Sequence, residues 1–178
     1  MIRLFVALDF PADVRERLAG LAGGVPGARW TESENLHLTL RFIGEVPDDT
    51  AADIDAALAE IAAPGFDLVL DGVGIYGSAR NARILWAGVE RSEALSHLQS
   101  KVESALVRCG LPPEERKFSP HVTLARLKDA PKDRLGRFLE DRGLFRAGPV
   151  RIDHFTLYRS HLGKGGAVYE ALREYGLG

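Results

Sequence analysis

The sequence has a single cysteine, Cys109, among its 178 residues. One thiol excludes a disulfide framework and a zinc site built on cysteines. No run approaches the roughly 18 apolar residues that a membrane-spanning helix needs, and the first residues are charged too early for a signal peptide. We therefore expect a cytoplasmic protein with no membrane partner. Because 46% of the residues are hydrophobic, the chain can form a packed core, which excludes intrinsic disorder.

The sequence also lacks an excess of charge of either sign. It has 23 Lys and Arg against 25 Asp and Glu, a net charge of −2, which excludes a uniformly basic nucleic-acid-binding surface. The charge is nevertheless uneven, because residues 45–67 contain seven acidic and no basic residues, whereas residues 116–151 contain ten basic and four acidic ones. A polyanion could therefore be bound locally by the second half of the chain, although solvated helix faces explain such runs equally well.

Hydrophobic periodicity predicts two similar runs of strand, helix, strand, helix and strand. The first run has strands near residues 3–9, 36–43 and 66–74, and the second has strands near 83–90, 118–124 and 150–158, followed by a last strand near 167–172. An offset of 84 residues superposes the first run on the second. We therefore predict one α+β domain, residues 1–178, with an internal repeat of roughly 1–86 and 83–172. Each unit should form a lobe with a mainly antiparallel sheet covered by helices, with a catalytic cleft between the two pseudo-symmetric lobes.

The same offset relates two copies of the pattern His-apolar-Thr-Leu, which begin at His37 and His121. On a strand, residues two apart lie on one face, so His37 and Thr39 should project together while Leu36, Leu38, Leu40 and Phe42 enter the core. Across a cleft, two imidazoles suit a displacement at phosphorus, because one can activate water while the other protonates the leaving oxygen near neutral pH. The hydroxyls of Thr39 and Thr123 would hold the non-bridging oxygens. This chemistry needs no metal and no cofactor.

Other interpretations of these motifs remain open. A third copy, His154-Phe155-Thr156, is locally as good as the others, but the offset aligns it with Leu70, so it has no counterpart in the first unit. Each histidine, taken singly, could also be an ordinary polar residue of a strand. Zinc binding by His37, His121 and His154 is disfavoured, because carboxylate or further histidine ligands are missing at suitable spacing.

Two segments resemble the signature strands of a known family. They are LHLTLRFIGEV, residues 36–46, and FSPHVTLAR, residues 118–126. They are similar to strands of the bacterial and archaeal RNA 2′,3′-cyclic phosphodiesterases, also called 2′-5′ RNA ligases, of the two-histidine phosphoesterase superfamily. The similarity extends from residues 3–8 to residues 169–172, so it covers nearly the whole chain.

The resemblance implies a bilobal α+β fold and metal-independent opening of an RNA 2′,3′-cyclic phosphate to a 2′-phosphate. It assigns His37 as the general acid for the leaving 3′-oxygen and His121 as the general base for water, although a pseudo-symmetric pair could work either way round on physical grounds. It also implies that Thr39, Thr123 and Arg126 bind the phosphate. The reverse reaction, which joins RNA ends through a 2′-5′ bond, is a further activity of the family.

The arginines are harder to place by strand alternation. Arg126 has the opposite parity to His121, so it reaches the site only if the strand ends or bulges near Ala125. Arg41 has the same parity as His37 and is expected to contact the RNA backbone or solvent.

We thus expect a monomeric enzyme acting on RNA ends. One alternative is a phosphoesterase for small cyclic phosphates or 2′-5′ oligonucleotides. The other is an RNA-end-binding module without turnover, which the intact His and Thr of both motifs disfavour.

Overall fold

The computed structural model describes residues 1–178 as nine strands and four α-helices. The strands are β1 (Ile2–Asp9), β2 (Arg29–Trp30), β3 (His37–Val46), β4 (Phe66–Ser78), β5 (Asn81–Val89), β6 (His121–Arg126), β7 (Arg146–Ile152), β8 (His154–Gly163) and β9 (Gly166–Gly176). The helices are α1 (Ala12–Ala19), α2 (Asp48–Ala59), α3 (Glu93–Arg108) and α4 (Lys132–Arg142), and a short 3-10 helix, Ser33–Asn35, precedes β3. The predicted α+β class is confirmed.

All nine strands belong to one antiparallel sheet. Its order is β7-β4-β5-β6-β3-β1-β8-β9, and the short β2 also pairs with β6. The two motif strands, β3 and β6, meet in the middle of the sheet through one residue pair, Leu38 and Val122. This pair joins the two halves of the sheet, and the motif strands therefore lie side by side at its centre.

The two sequence repeats are interlaced between the two halves of the sheet. The strand β4 pairs with β5 and β7, whereas β8 pairs with β1 and β9, so each half contains strands from both repeats. Helices are exchanged as well, since α1 packs against β7 while α3 packs against β3 and α2. The expected assignment of one repeat to each lobe is therefore wrong in this respect. The exchange lets one cluster of 35 buried residues run through both halves as a single core.

The helices form where the sequence predicts them, because their apolar residues repeat at helical spacing. In α3, Leu95, Leu98, Val102 and Leu106 are all buried. Ser92 is the N-cap of this helix: its hydroxyl accepts a hydrogen bond from the backbone N–H of Leu95, which contributes about 1 kcal/mol. None of the helices combines the length and the apolar character required to cross a bilayer.

Candidate active site

Each motif strand contains a β-bulge at the leucine that follows its threonine. Ala7 pairs with Thr39 and Val6 pairs with Arg41, which leaves Leu40 without a partner in β1. In β6, by the same arrangement, Leu124 has no partner in β5, because Trp86 pairs with Thr123 and Leu85 pairs with Ala125. One extra residue reverses the side to which all later side chains point. The bulges therefore decide which residues beyond the motifs reach the site.

The bulge at Leu124 brings Arg126 onto the face of the sheet that carries His121 and Thr123. Arg126 is exposed there and lines a cavity of about 320 Å³ together with His37, Thr39 and Thr123. Four of the residues predicted for phosphate chemistry thus share one cavity. Strand alternation predicts that Arg126 reaches the site only if the strand ends or bulges near Ala125, and the structure has this bulge one residue earlier, at Leu124.

The bulge at Leu40 has the opposite consequence for Arg41, which turns into the core and is only 8% exposed. Its Nε donates to the Glu103 carboxylate at 2.9 Å, and its other nitrogens donate to the carbonyls of Phe42 and Pro112. Strand alternation fails at the bulge, so Arg41 does not project beside His37; it lines the edge of a neighbouring cavity that contains His121, and an RNA contact by Arg41 stays a prediction. Phe42, predicted to be in the core, is 47% exposed and lines the site instead.

Both histidines are held in the same way, by the carbonyl two residues before them. His37 Nδ1 lies 2.6 Å from the Asn35 carbonyl oxygen, and His121 Nδ1 lies 2.8 Å from that of Ser119. A carbonyl only accepts, so each Nδ1 carries the hydrogen and each Nε2 is left for acid–base chemistry. His37 Nε2 lies 2.9 Å from Thr39 Oγ1, which places imidazole and hydroxyl side by side as the motif predicts.

His37 is surrounded by aromatic rings. The centroids of Phe5 and Tyr169 lie 5.0 and 5.3 Å from that of the imidazole, and Tyr158 lies at 6.4 Å. Burial lowers the pKa of His37 below its ordinary value; the Asn35 carbonyl opposes this shift, and positive charge on His121 adds to it. The surroundings of His37 therefore favour the neutral imidazole.

His121 lies in a second cavity, of about 590 Å³, which shares Thr39 and Phe42 with the first. The Tyr76 hydroxyl lies 3.2 Å from His121 Nδ1 and 2.9 Å from the Ser119 hydroxyl, and the tyrosine ring meets the imidazole edge-on at 4.9 Å. The two histidines thus open into adjoining cavities on one face of the sheet, with Thr39 at their boundary.

Sequence reasoning missed the residues that surround and orient the histidines. Tyr76 and Tyr169 lie on β4 and β9, outside both motifs, and carry no signal of their own. Asn35 and Ser119 could have been found, because the 84-residue offset relates them just as it relates the histidines. Asn35 also donates its amide to the Ala167 carbonyl, which ties the β8–β9 hairpin to the wall of the first cavity.

His154, in the third copy of the motif, lines neither cavity. Its Nε2 lies 2.7 Å from the Asp9 carboxylate and its Nδ1 lies 2.7 Å from that of Asp153. Both ring nitrogens are engaged away from the histidine pair, in agreement with the argument from the repeat.

This fold, with one His-x-Thr motif on each of two central strands, defines a class of phosphoesterase. The sequence matches the LigT-like phosphoesterase family model over residues 8–86 and again over residues 88–169, and the chain belongs to that family. The first matched segment contains the motif at His37, and the second contains the motif at His121 together with the third copy at His154. The resemblance found in the sequence is confirmed.

Individual relatives cover nearly the whole chain. It is 38% identical over 153 residues to the RNA 2′,3′-cyclic phosphodiesterase of Aeropyrum pernix, which covers 85% of this chain and 86% of the relative. It is 32% identical to the protein of the same name from Thermotoga maritima, over 97% and 94% of the two chains. The crystal structure of Escherichia coli LigT complexed with 3′-AMP is similar with a TM-score of 0.78 and 31% identity, over 99% of this chain and 98% of that one.

Proposed function

We propose that this protein opens RNA 2′,3′-cyclic phosphate ends to 2′-phosphate ends without a metal ion in the reaction. The proposal rests on two imidazoles that are held in the same way, each with its Nδ1 hydrogen-bonded to a backbone carbonyl. Thr39, Thr123 and Arg126 line the cavity beside them. The relatives named RNA 2′,3′-cyclic phosphodiesterase support the same substrate.

In the proposed reaction, His121 Nε2 takes a proton from water, whose oxygen forms a new bond to phosphorus. The bond from phosphorus to the 3′-oxygen breaks, and protonated His37 Nε2 donates its proton to that oxygen. The products are a 2′-phosphate and a free 3′-hydroxyl. Assignment of the acid to His37 follows the family resemblance.

The surrounding groups stabilise charge on phosphorus. Arg126 offers a planar pair of donors for two phosphate oxygens, and the threonine hydroxyls donate to the non-bridging oxygens. The bound phosphate anion also raises the pKa of His37, which opposes the effect of burial and supplies the protonated acid. Since all these groups belong to one chain, the site is complete in a monomer.

The same groups serve 2′-5′ ligation. A 5′-hydroxyl replaces water as the nucleophile: His121 takes its proton, its oxygen bonds to phosphorus, the bond from phosphorus to the 3′-oxygen breaks, and His37 protonates that oxygen. In the reverse, cleavage of the 2′-5′ bond, the 3′-hydroxyl attacks, the 5′-oxygen leaves, and the roles of His37 and His121 are exchanged. RNA is favoured over a small cyclic phosphate because Arg83, Arg116 and Lys117 line the second cavity, beyond the reacting group.

The test is to incubate EDTA-treated protein with an oligoribonucleotide ending in a 2′,3′-cyclic phosphate and to identify the product by chromatography against 2′- and 3′-phosphate standards. We expect a 2′-phosphate product and full activity in EDTA. A 3′-phosphate product would reverse the leaving group, and loss of activity in protein that circular dichroism shows to be folded would contradict the metal-free reaction. Turnover of 2′,3′-cyclic AMP but not of the oligonucleotide would favour the small-substrate alternative. Binding without turnover would favour the RNA-binding module.

A further inference from the structure

The third His-x-Thr motif faces a cluster of ligand-bearing residues that the proposed reaction does not use. His154 Nε2, on β8, lies 2.7 Å from Asp9 Oδ1, on β1, and 3.9 Å from Glu174 Oε1, on β9. One donor atom from each of these three residues lies within 4.8 Å of the other two. The cluster therefore joins three neighbouring strands at one end of the sheet.

A second observation points to a ligand at this cluster. Thr156 is fully buried, and its Oγ1 makes no hydrogen bond of good geometry, although the Tyr158 hydroxyl lies nearby. Thr156 pairs directly with Glu174 across the strands and lies two residues from His154, so its hydroxyl is on the face of the sheet that carries the cluster. A buried hydroxyl without a well-formed hydrogen bond is destabilising unless something binds it.

The charge of the cluster favours a cation. The carboxylates of Asp9, Asp153 and Glu174 surround one imidazole, with oxygens 2.7, 2.7 and 3.9 Å from its nitrogens. Arg15, near the Tyr158 hydroxyl, and Arg151, near Asp153, are positive groups on this side and offset part of the negative charge. The negative charge that remains can be balanced by a proton or by a metal ion.

We propose that Asp9, His154 and Glu174 form a binding site for a divalent transition-metal ion, with Thr156 Oγ1 or water as a further ligand. One imidazole nitrogen and two carboxylate oxygens suit Zn²⁺ or Mn²⁺ better than Mg²⁺ or Ca²⁺, which prefer oxygen alone. Metal on Nε2 leaves Nδ1–H to donate to Asp153, the carboxylate–histidine–metal arrangement that fixes a ligating imidazole.

The required movement is small. Ligands about 2.0–2.2 Å from one zinc ion lie roughly 3–3.5 Å from each other. Asp9 must therefore move slightly away from His154 and Glu174 slightly closer, and both side chains are partly exposed and free to turn. Metal binding displaces the proton from Nε2 and releases it to solvent.

Such an ion would be structural, since it fastens β8 and β9 to β1. Two of the rings that pack on His37, Tyr158 and Tyr169, belong to β8 and β9, so the ion would stabilise the wall of the active site without entering the reaction. The inference does not depend on the proposed substrate.

The test is equilibrium dialysis and calorimetry of the full chain, first stripped with EDTA, against ZnCl₂ and separately MnCl₂ in a phosphate-free buffer. We expect one ion per chain, one proton released per ion, and an unfolding temperature that rises by several degrees. Glu174→Gln and His154→Gln should weaken binding at least tenfold while circular dichroism confirms a folded chain. Glu174→Gln changes an exposed side chain, so it keeps the test valid if His154→Gln fails to fold.

Two controls separate this site from others. His161→Gln removes the other imidazole on the same hairpin that pairs with a carboxylate, Glu170 at 2.8 Å, and should leave binding intact. His121→Ala should also bind the ion, which excludes a site in the cleft. No binding at millimolar metal, or equal binding by the wild type and both cluster variants, would overturn the proposal.

Discussion

Phe42 and Arg126 occupy equivalent positions in the two repeats, each two residues beyond a bulged leucine and 84 residues apart. The two bulges turn both side chains onto the face that carries the histidines, where both line the first cavity. One repeat thus contributes a cation and the other an aromatic ring. Both strands have the same bulge, but the side chains that the bulges turn into the cavity differ in chemistry.

Arg126→Ala should lower kcat/KM by about 10²–10³, because the guanidinium is a preorganised donor for charge that develops on phosphate. Arg126→Lys should recover only part of the loss, since a lysine keeps the charge but not the two-pronged geometry. Arg134→Ala, an exposed arginine on α4, is the matched control. Equal kinetics for Arg126→Ala and the control would show that Arg126 has no role in the reaction.

Phe42→Ala should raise KM for an oligonucleotide substrate by about 5- to 100-fold with a smaller effect on kcat, because base stacking on a ring contributes about 1–3 kcal/mol. The ring is exposed and lies 5.1 Å from the Arg3 guanidinium, which orients it. Phe42→Tyr preserves the stacking surface and should behave like the wild type. An unchanged KM for Phe42→Ala would show that no base stacks there.

Arg41→Ala should reduce stability without reducing turnover by the folded fraction. Removal of the guanidinium leaves the partly buried Glu103 without its partner, at a cost of about 2–3 kcal/mol. Urea unfolding measures the loss, and kcat/KM at a low temperature measures activity, with the exposed Arg91→Ala as control. If Arg41→Ala were stable but inactive, the result would instead support the RNA contact expected from the sequence.

His37→Ala and His121→Ala should each lower kcat by about 10²–10⁴, the contribution of a positioned acid or base. His97→Ala, on the exposed face of α3, should keep wild-type kinetics. The choice of histidines would be contradicted by an active His37→Ala together with an inactive His154→Ala.

Tyr169→Ala should raise the pKa of His37 toward its ordinary value of 6.5, because water replaces part of the ring that buries the imidazole. The direction follows from the cause: burial disfavours the charged form, so exposure favours protonation at higher pH. Titration of the His37 ring signals by NMR measures the shift, and the limb of the kcat/KM profile that belongs to His37 should move the same way. Tyr169→Phe keeps the ring and should leave the pKa unchanged; a shift of equal size in Tyr169→Phe would contradict burial as the cause.

Much of the site could be predicted from the sequence, because its chemistry lies in short strands that the 84-residue offset duplicates. By simple alternation His37 shares a face of its strand with Thr39, and His121 shares a face of its strand with Thr123. These features depend on neighbours within a few residues, which is the range over which a sequence pattern acts.

Alternation fails at Leu40 and Leu124, because a bulge is decided by how two strands pair and not by either strand alone. The bulge at Leu40 turns Arg41 into the core, and the bulge at Leu124 turns Arg126 into the first cavity. Strand alternation predicts the opposite direction for both side chains. The sequence repeat does not reveal the exchange of strands between the two halves of the sheet, because the order of elements along the chain is the same with or without the exchange.

Residue type and spacing alone were enough to predict the two histidine strands, their threonines and the class of enzyme. Tertiary contacts set which arginine lines the cavity with His37, which rings bury His37, and that His154 joins Asp9 and Glu174. Those outcomes depend on contacts between strands far apart in the chain, where pairing register and packing, not local preference, set the direction of each side chain.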